Sequence, residues 1–387
     1  MTYTGVDMAT RIFGLILLLA FTALPVRASS YESAAPIAYM LDMSSGAVLY
    51  DKNSEKRIPP ASMTKMMTAY VVFDRLGSGE LALDDTFTIG AKTAQKWSGR
   101  GSTMFLRGGQ KVSVENLLHG LITVSGNDAA VALADGIAGS ERAFITLMNQ
   151  KAGEIGLENS RFGTSNGWPD EGRTLVTARD LAVLAQRTMA DYPQYYKQFY
   201  ANKKFTWNNV TQMDRNPLLG KVAGADGLKT GHTNAAGYCL TGSAQQNGRR
   251  IVMVVAGLPS YDSRITESVK FMSWGFGAWR SEALFETSAI VGKAQVQLGE
   301  QTSVALAAPN NIAATLPKET ADTYDLAIRY SGPVKAPVAK GQRVATLVVT
   351  MADGSEQTTP LVAANNVAAA GFFGRAWNGL KSLVGAA

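Results

Sequence analysis

Residues 59–65 read PPASMTK, two prolines leading into a serine and a lysine three positions apart, followed by the helix-compatible run MMTAYVVF. Proline is tolerated in a first helical turn and a small hydroxylic residue caps one, so the stretch marks the start of a helix. The same spacing places Lys65 on the helix face of Ser62, its amine within reach of the serine oxygen. A serine hydroxyl is a poor nucleophile until something takes its proton, and a lysine kept neutral by burial or by a nearby cation can do so. Whether PPASMTK is a solvated helix start or a nucleophile and its base is decided by the rest of the chain.

The chain has 387 residues and a formal net charge of +6. Its first 28 residues carry a cationic Arg11, the apolar run IFGLILLLAFTALPV and the small-residue tripeptide VRA, the pattern of a removable export signal cleaved after Ala28. The lysines and arginines are spread rather than clustered and no nucleic-acid motif is present, so a membrane surface or an anionic wall polymer is a more fitting partner than DNA. Cys239 stands alone, which excludes an intramolecular disulfide and a thiolate metal site and leaves it as a small buried hydrophobe. With only His119 and His232 in the chain, an H-E-x-x-H zinc protease is excluded, and no G-x-S-x-G elbow supports a histidine triad. No position calls for a metal or a cofactor.

From about Ala35, AYMLDMSSGAVLYDKN has two alternating apolar runs around Ser44-Ser45-Gly46, a hairpin leading into the PPASMTK helix. A helix-rich middle follows, then strand periodicity through VAGADGLKTGHTNAAGYCLTGSAQQNGRRIVMVVAGL with a turn at Gln246-Asn247-Gly248, then one more helix in ITESVKFMSWGFGAW. Strands on both sides of a helical block imply an α/β (α+β) fold: an antiparallel sheet fed from both chain ends, with a helical lobe. After about Phe285 short Val, Leu and Thr runs alternate with Gly, Pro and Asn breaks, the pattern of a small all-β sandwich. The expected division is therefore a signal at 1–28, a catalytic domain at 29–284, an all-β domain at 285–368 and a terminal helix at 369–387. In GFFGRAWNGLKSLVGAA that helix sets Phe372, Phe373, Trp377, Leu380 and Leu383 opposite Arg375 and Lys381, amphipathic and too short to span a bilayer, as an interfacial membrane anchor would be.

Two further segments complete a candidate site. TVSGNDAA puts Ser125-Gly126-Asn127 on a short turn between apolar helices, and DGLKTGHT opens a strand with Lys229-Thr230-Gly231. Glycine at 231 would let an extended peptide approach the strand edge, Lys229 would bring a second cation toward Lys65, and Thr230 a hydroxyl for a substrate carboxylate. Each motif alone is weak. Together Ser62-x-x-Lys65, Ser125-x-Asn127 and Lys229-Thr230-Gly231 form the ordered S-x-x-K, S-x-N, K-T-G set of penicillin-recognising serine acyl enzymes. The chain closely resembles the D-alanyl-D-alanine carboxypeptidases among the low-molecular-mass penicillin-binding proteins. That likeness runs through LYDKNSEKRIPPASMTKMMTAYVVFD, FGTSNGWPDEGRTLVTARDLAVLA and, in the β module, VAKGQRVATLVV.

The resemblance implies a β-lactamase/transpeptidase-like catalytic domain at the periplasmic face of a bacterial inner membrane, acting on a peptidoglycan stem pentapeptide and acylated by β-lactams. It implies that Ser62 attacks the penultimate D-alanine carbonyl, Lys65 accepts the proton, Ser125 relays it to the leaving nitrogen and Asn127 binds the acyl chain. Lys229 and Thr230 would engage the terminal carboxylate, with Gly231 beside them and Arg215 assisting. His232 would be a site-wall residue, with its backbone amide and that of Ser62 as oxyanion donors, and His119 in LLHGLI a packed core residue. D,D-endopeptidase action on cross-links, a weak β-lactamase and a non-catalytic penicillin sensor stay open, although no E-x-x-L-N sequence lies between Ser125 and Lys229.

Overall fold

The computed structural model describes residues 31–319 and 323–371. The expected export signal and terminal helix fall largely outside these residues. Strands β1 (Ile37–Asp42) and β2 (Val48–Lys52) form the first hairpin, and a 3-10 turn (Ala61–Thr64) runs into helix α1 (Lys65–Ser78). The helical lobe comprises α2 (Ala91–Trp97), α3 (Val114–Ile122), α4 (Asn127–Ala138), α5 (Glu141–Glu154), α6 (Ala178–Asp191) and α7 (Pro193–Phe199). Two small antiparallel strand pairs border it, β3 (Thr86–Thr88) with β4 (Lys111–Ser113) across α2, and the hairpin of β5 (Lys204–Trp207) with β6 (Val210–Met213). The chain then returns to the sheet as β7 (Ala225–Thr233), β8 (Gly237–Gln246) and β9 (Arg249–Leu258), and α8 (Tyr261–Gly277) covers its far face.

The main sheet is antiparallel in the order β2-β1-β9-β8-β7, so strands from both chain ends meet at the β1–β9 pairing, as the alternation of apolar runs implies. Its pleat separates two cores. Val252, Val254 and Ala256 of β9 face the helical lobe, whereas Ile251, Met253 and Val255 face the side carrying Phe271 and Met272 of α8. The β8–β9 turn is the two residues Asn247 (φ 50°) and Gly248 (φ 79°), both left-handed, the conformation for which an Asn-Gly pair is suited. Helix α1 is buried on nearly all sides, with Met66, Met67, Val71, Val72 and Phe73 fully enclosed. A helix apolar around its circumference belongs inside a lobe, and this burial anchors the turn that carries Ser62.

The second module contains β10 (Trp279–Phe285), β11 (Ile290–Gln297), β12 (Ser303–Ala307), β13 (Ile312–Pro317), β14 (Tyr324–Arg329), β15 (Val334–Lys335), β16 (Arg343–Met351) and β17 (Glu356–Ala363). A six-stranded sheet in the order β14-β16-β17-β12-β11-β15 accompanies the β10–β13 pair. Strand pairing in this module reaches back to Trp279, ahead of the composition change at Phe285. It docks on the β1–β2 hairpin through a buried polar cluster. Asp42 accepts from the Arg249 guanidinium and, at 2.8 Å, from the Thr315 hydroxyl of β13. With its one proton given to that carboxylate, Thr315 Oγ1 accepts from Ser45 at 2.7 Å, and its backbone amide and carbonyl are both held by the Gln357 side chain. Gly46 closes the contact: at φ 74°, a Cβ there would stand 2.7 Å from the Thr358 carbonyl oxygen. Among the described residues no helix is long and apolar enough to cross a membrane.

Candidate active site

Ser62 sits on the 3-10 turn and Lys65 is the first residue of α1, so the pair occupies a tighter turn than the α-helix start expected from the sequence. In that geometry side chains at i and i+3 eclipse, which brings Lys65 Nζ to 3.0 Å from Ser62 Oγ. No side-chain cap is made by Ser62, so its hydroxyl is not spent on the helix end. Lys65 is 1 % exposed, and its amine also donates to Asn127 Oδ1 at 2.8 Å and to the Asn166 carbonyl at 2.6 Å.

A neutral lysine amine has two hydrogens and one lone pair. Asn127 and Asn166 offer acceptors for the two hydrogens, and the Ser62 hydroxyl can donate to the lone pair, so the site satisfies the uncharged amine completely. Burial pushes the Lys65 pKa well below the ordinary lysine value, and the charge of Lys229 pushes it further. Asp128 opposes this, but its carboxylate is committed to the Thr103 hydroxyl and to the amides of Met104, Leu106 and Ala129. That bonding ties the loop ahead of α3 to the start of α4.

Ser125 lies between α3 and α4, 3 % exposed, with φ 64°. Ala61, immediately before Ser62, has φ 50°. Neither is glycine, and a side chain in the left-handed region costs on the order of 1 kcal/mol or more, strain of the kind that collects where a site requires a particular orientation. Gly126 donates to the Gly120 carbonyl at 2.8 Å and Asn127 to Ser102 at 2.8 Å, fixing the turn from both sides.

Strand β7 is the open edge of the sheet. Lys229 is buried and Thr230 is 6 % exposed; burial lowers the Lys229 pKa to about 8, with Asp214 opposing and Arg215 adding to the shift. Burial also raises Asp214 to about 6. Near pH 7 the cation of Lys229 and the anion of Asp214 therefore both prevail. Gly231 does something other than admit a substrate strand: a Cβ there would lie 2.7 Å from the Pro60 carbonyl oxygen, so its absence lets β7 press against the Ala61–Thr64 turn. His232 is exposed and stacks on Tyr238 at 3.9 Å, and Arg215 is exposed but anchored to Ser102 Oγ at 2.9 Å and the Val124 carbonyl at 3.1 Å. His119 is half-buried against Phe199 and Phe205, with its pKa lowered by burial. Cys239 is fully buried and its thiol is raised to about 11.

Three contributors were not evident from sequence. Asn166 acts through its carbonyl, which any residue type could supply. Gly167, at φ 76°, lies so close that an added Cβ would be 1.8 Å from the Ala61 carbonyl oxygen. Arg264 on α8 is 3 % exposed and lies over the rings of Tyr238 and Tyr261; its charge helps lower the Lys229 pKa. A lone arginine in an amphipathic helix carries no local signal; only the fold brings it to the cations of β7.

Comparison with known proteins agrees with this geometry. Residues 25–260 match the family model of the D-alanyl-D-alanine carboxypeptidases, and residues 279–369 that of the penicillin-binding protein 5 C-terminal domain. The chain is 38 % identical over 347 residues to the D-alanyl-D-alanine carboxypeptidase DacA of Haemophilus influenzae, covering 88 % of this chain and 87 % of that one. It is 37 % identical to DacC of Escherichia coli, covering 91 % and 88 %. Among solved structures, penicillin-binding protein 5 from Haemophilus influenzae superposes with a TM-score of 0.76 at 36 % identity, over 88 % of this chain and 99 % of that one. The carboxypeptidase DacD from Francisella tularensis superposes with a TM-score of 0.70 at 32 % identity, over 91 % and 98 %. With residues 25–260 and 279–369 matched by the two family models, and relatives and solved structures covering nearly nine-tenths of the chain, the chain belongs to the D-alanyl-D-alanine carboxypeptidase family.

Proposed function

We propose that the protein is a serine-type D-Ala-D-Ala carboxypeptidase that removes the terminal D-alanine from a peptidoglycan stem pentapeptide and is acylated by β-lactams. The observation that carries this reading is the enclosed Lys65 amine, depressed in pKa and 3.0 Å from Ser62 Oγ. Lys65 takes the hydroxyl proton as Ser62 attacks the carbonyl of the penultimate D-alanine, and an ester to Ser62 forms. Ser125 passes a proton to the departing nitrogen, and D-alanine leaves with its own carboxylate. Asn127, bound to Lys65, keeps the amine aimed and offers its amide to the acyl chain. Lys229 and Thr230, with Gly231 shaping the edge and Arg215 and Arg264 adding positive field, receive the substrate's terminal carboxylate. The backbone N–H groups of Ser62 and His232 hold the oxyanion, a charge present only in the transition state. Water then hydrolyses the ester, leaving a tetrapeptide stem and a regenerated Ser62.

The same reading takes residues 1–28 as an export signal, 29–284 as the catalytic domain, 285–368 as the β module and 369–387 as an anchor. Their support is the sequence pattern: an apolar run ending in VRA at one end, and Phe372, Phe373 and Trp377 set against Arg375 and Lys381 at the other. The enzyme would then work peripherally on the periplasmic membrane face, with the β module as a stalk toward the wall. The test is D-alanine release from a stem pentapeptide by the protein and by Ser62→Ala. Release by the first and none by the second supports the reading; equal release, or none from either, ends it.

A further inference from the structure

The loop after α2 borders the site around Asn127, whose backbone N–H donates to the Ser102 carbonyl at 2.8 Å and whose Nδ2 donates to the Arg100 carbonyl at 3.2 Å. Ser102 Oγ also accepts from Arg215 at 2.9 Å. The Arg100 guanidinium lies 5.6 Å from the centre of the Trp168 ring. Trp168 is itself fixed. Its amide donates to Asn166 Oδ1 at 2.9 Å, its edge meets the buried Trp97 at 5.4 Å and 71°, and the preceding Gly167 abuts the Ala61 carbonyl. Asn166, in turn, holds Lys65. Gly101 allows this packing, since a Cβ there would be 3.0 Å from both Asn127 Nδ2 and the Trp168 ring.

Arg100 is therefore an exposed cation on a rigid aromatic platform whose supports are the residues that hold the general base. Among the described residues no carboxylate lies within ion-pair distance of it. A guanidinium held beside an indole face is oriented by it, and its free edge presents paired N–H donors that match the two oxygens of a carboxylate. Resting on the carboxypeptidase reading above, we propose that Arg100 on Trp168 is a specificity-determining subsite for an anionic group, a carboxylate, carried on the acyl side of the scissile bond. In that reading the leaving-group carboxylate is met by Lys229 and Arg215, whereas Arg100 adjoins Asn127, the residue that binds the acyl chain. The enzyme thus distinguishes stem peptides by the charge on the residue before the two D-alanines.

The test compares two synthetic peptides ending in lysyl-D-Ala-D-Ala, identical except that the lysine side-chain amine is acetylated in one and succinylated in the other. The first is neutral there and the second carries a carboxylate. We expect D-alanine release from the succinylated peptide to have about a fivefold higher kcat/KM, expressed in KM and shrinking in high salt, as an exposed charge pair would. Arg100→Gln brings the ratio of the two kcat/KM values to one, and Arg100→Lys restores part of it. Because the readout is a ratio within one protein, a variant with reduced overall activity still reports it. A ratio of one in the wild type, or a preference that survives Arg100→Gln, overturns the subsite while leaving the carboxypeptidase reading in place. Release from neither peptide overturns both.

Discussion

Replacing Asn127 by aspartate probes the neutrality of Lys65 with almost no change in shape. Asn127 Oδ1 stands 2.8 Å from Lys65 Nζ, and in Asn127→Asp that oxygen becomes part of a carboxylate. At an effective dielectric constant of about 20, opposite charges at that distance attract by about 6 kcal/mol. With solvent screening at an effective dielectric constant of about 40 the attraction is about 3 kcal/mol in favour of the charged amine. At 1.36 kcal/mol per pKa unit this raises the Lys65 pKa by roughly 2 units and lowers the neutral fraction about 100-fold on the acid side of the profile. The substitution also removes the 3.2 Å bond to the Arg100 carbonyl, because a carboxylate oxygen has no hydrogen to donate, a loss of about 1 kcal/mol that Asn127→Ala shares. The two effects separate in the second-order rate of acylation by a fluorescent penicillin, measured from pH 5 to pH 10, a range taken to bracket the titrations of a depressed lysine. We expect the acid limb to move upward in Asn127→Asp and not in Asn127→Ala, which supplies no charge. If both variants lose rate uniformly and the acid limb stays where the wild type has it, proton uptake by Lys65 does not govern acylation and the mechanism given above is wrong.

Lys229 sets the other limb. With its pKa at about 8, its charge fades as pH rises through that value, removing the carboxylate anchor and the cation that holds Lys65 neutral, so kcat/KM for peptide falls there. Lys229→Arg should move that fall to higher pH, and an unshifted limb would assign it to another group. In the buried cluster beneath the β module, Asp42→Asn leaves Arg249 as an unpaired buried cation and should destabilise the protein by about 3 kcal/mol in urea unfolding. A loss below about 1 kcal/mol, the range of an exposed pair, would show that burial adds nothing to this ion pair. Ending the chain at Ala370 should release the protein from membranes on fractionation, and continued sedimentation with them would exclude the last residues as the anchor.

The elements most legible in the sequence are those where one residue type has few alternatives. Asn247-Gly248 is such a case, because few other pairs accept two successive positive φ values, and the β9 alternation of Ile251 to Ala256 reports a sheet covered on both faces. The three motifs are readable by their order, and the fold gathers them around the Ala61–Thr64 turn. Less accessible was whatever depends on backbone atoms or on distant packing. The Asn166 carbonyl has no side-chain signature, the Ala61–Thr64 turn is 3-10 because β7 and Gly167 press on it from two sides, and Gly231 is small for that reason. Arg264 and Arg100 read as ordinary surface cations until α8 and the loop after α2 are placed. The pairing of Trp279–Phe285 with Ile312–Pro317 was hidden because that strand, half-exposed along its length, lacks the contrast that marks the later strands.

The most direct check on the serine acyl enzyme is the location of its covalent intermediate. The protein is incubated with benzylpenicillin, quenched in acid, digested and mapped by mass spectrometry. The mechanism requires one adduct, on the peptide that contains Ser62, absent from Ser62→Ala and formed far more slowly in Lys65→Met. An adduct on Ser125 or elsewhere, or labelling of Ser62 at an undiminished rate without the Lys65 amine, would refute it.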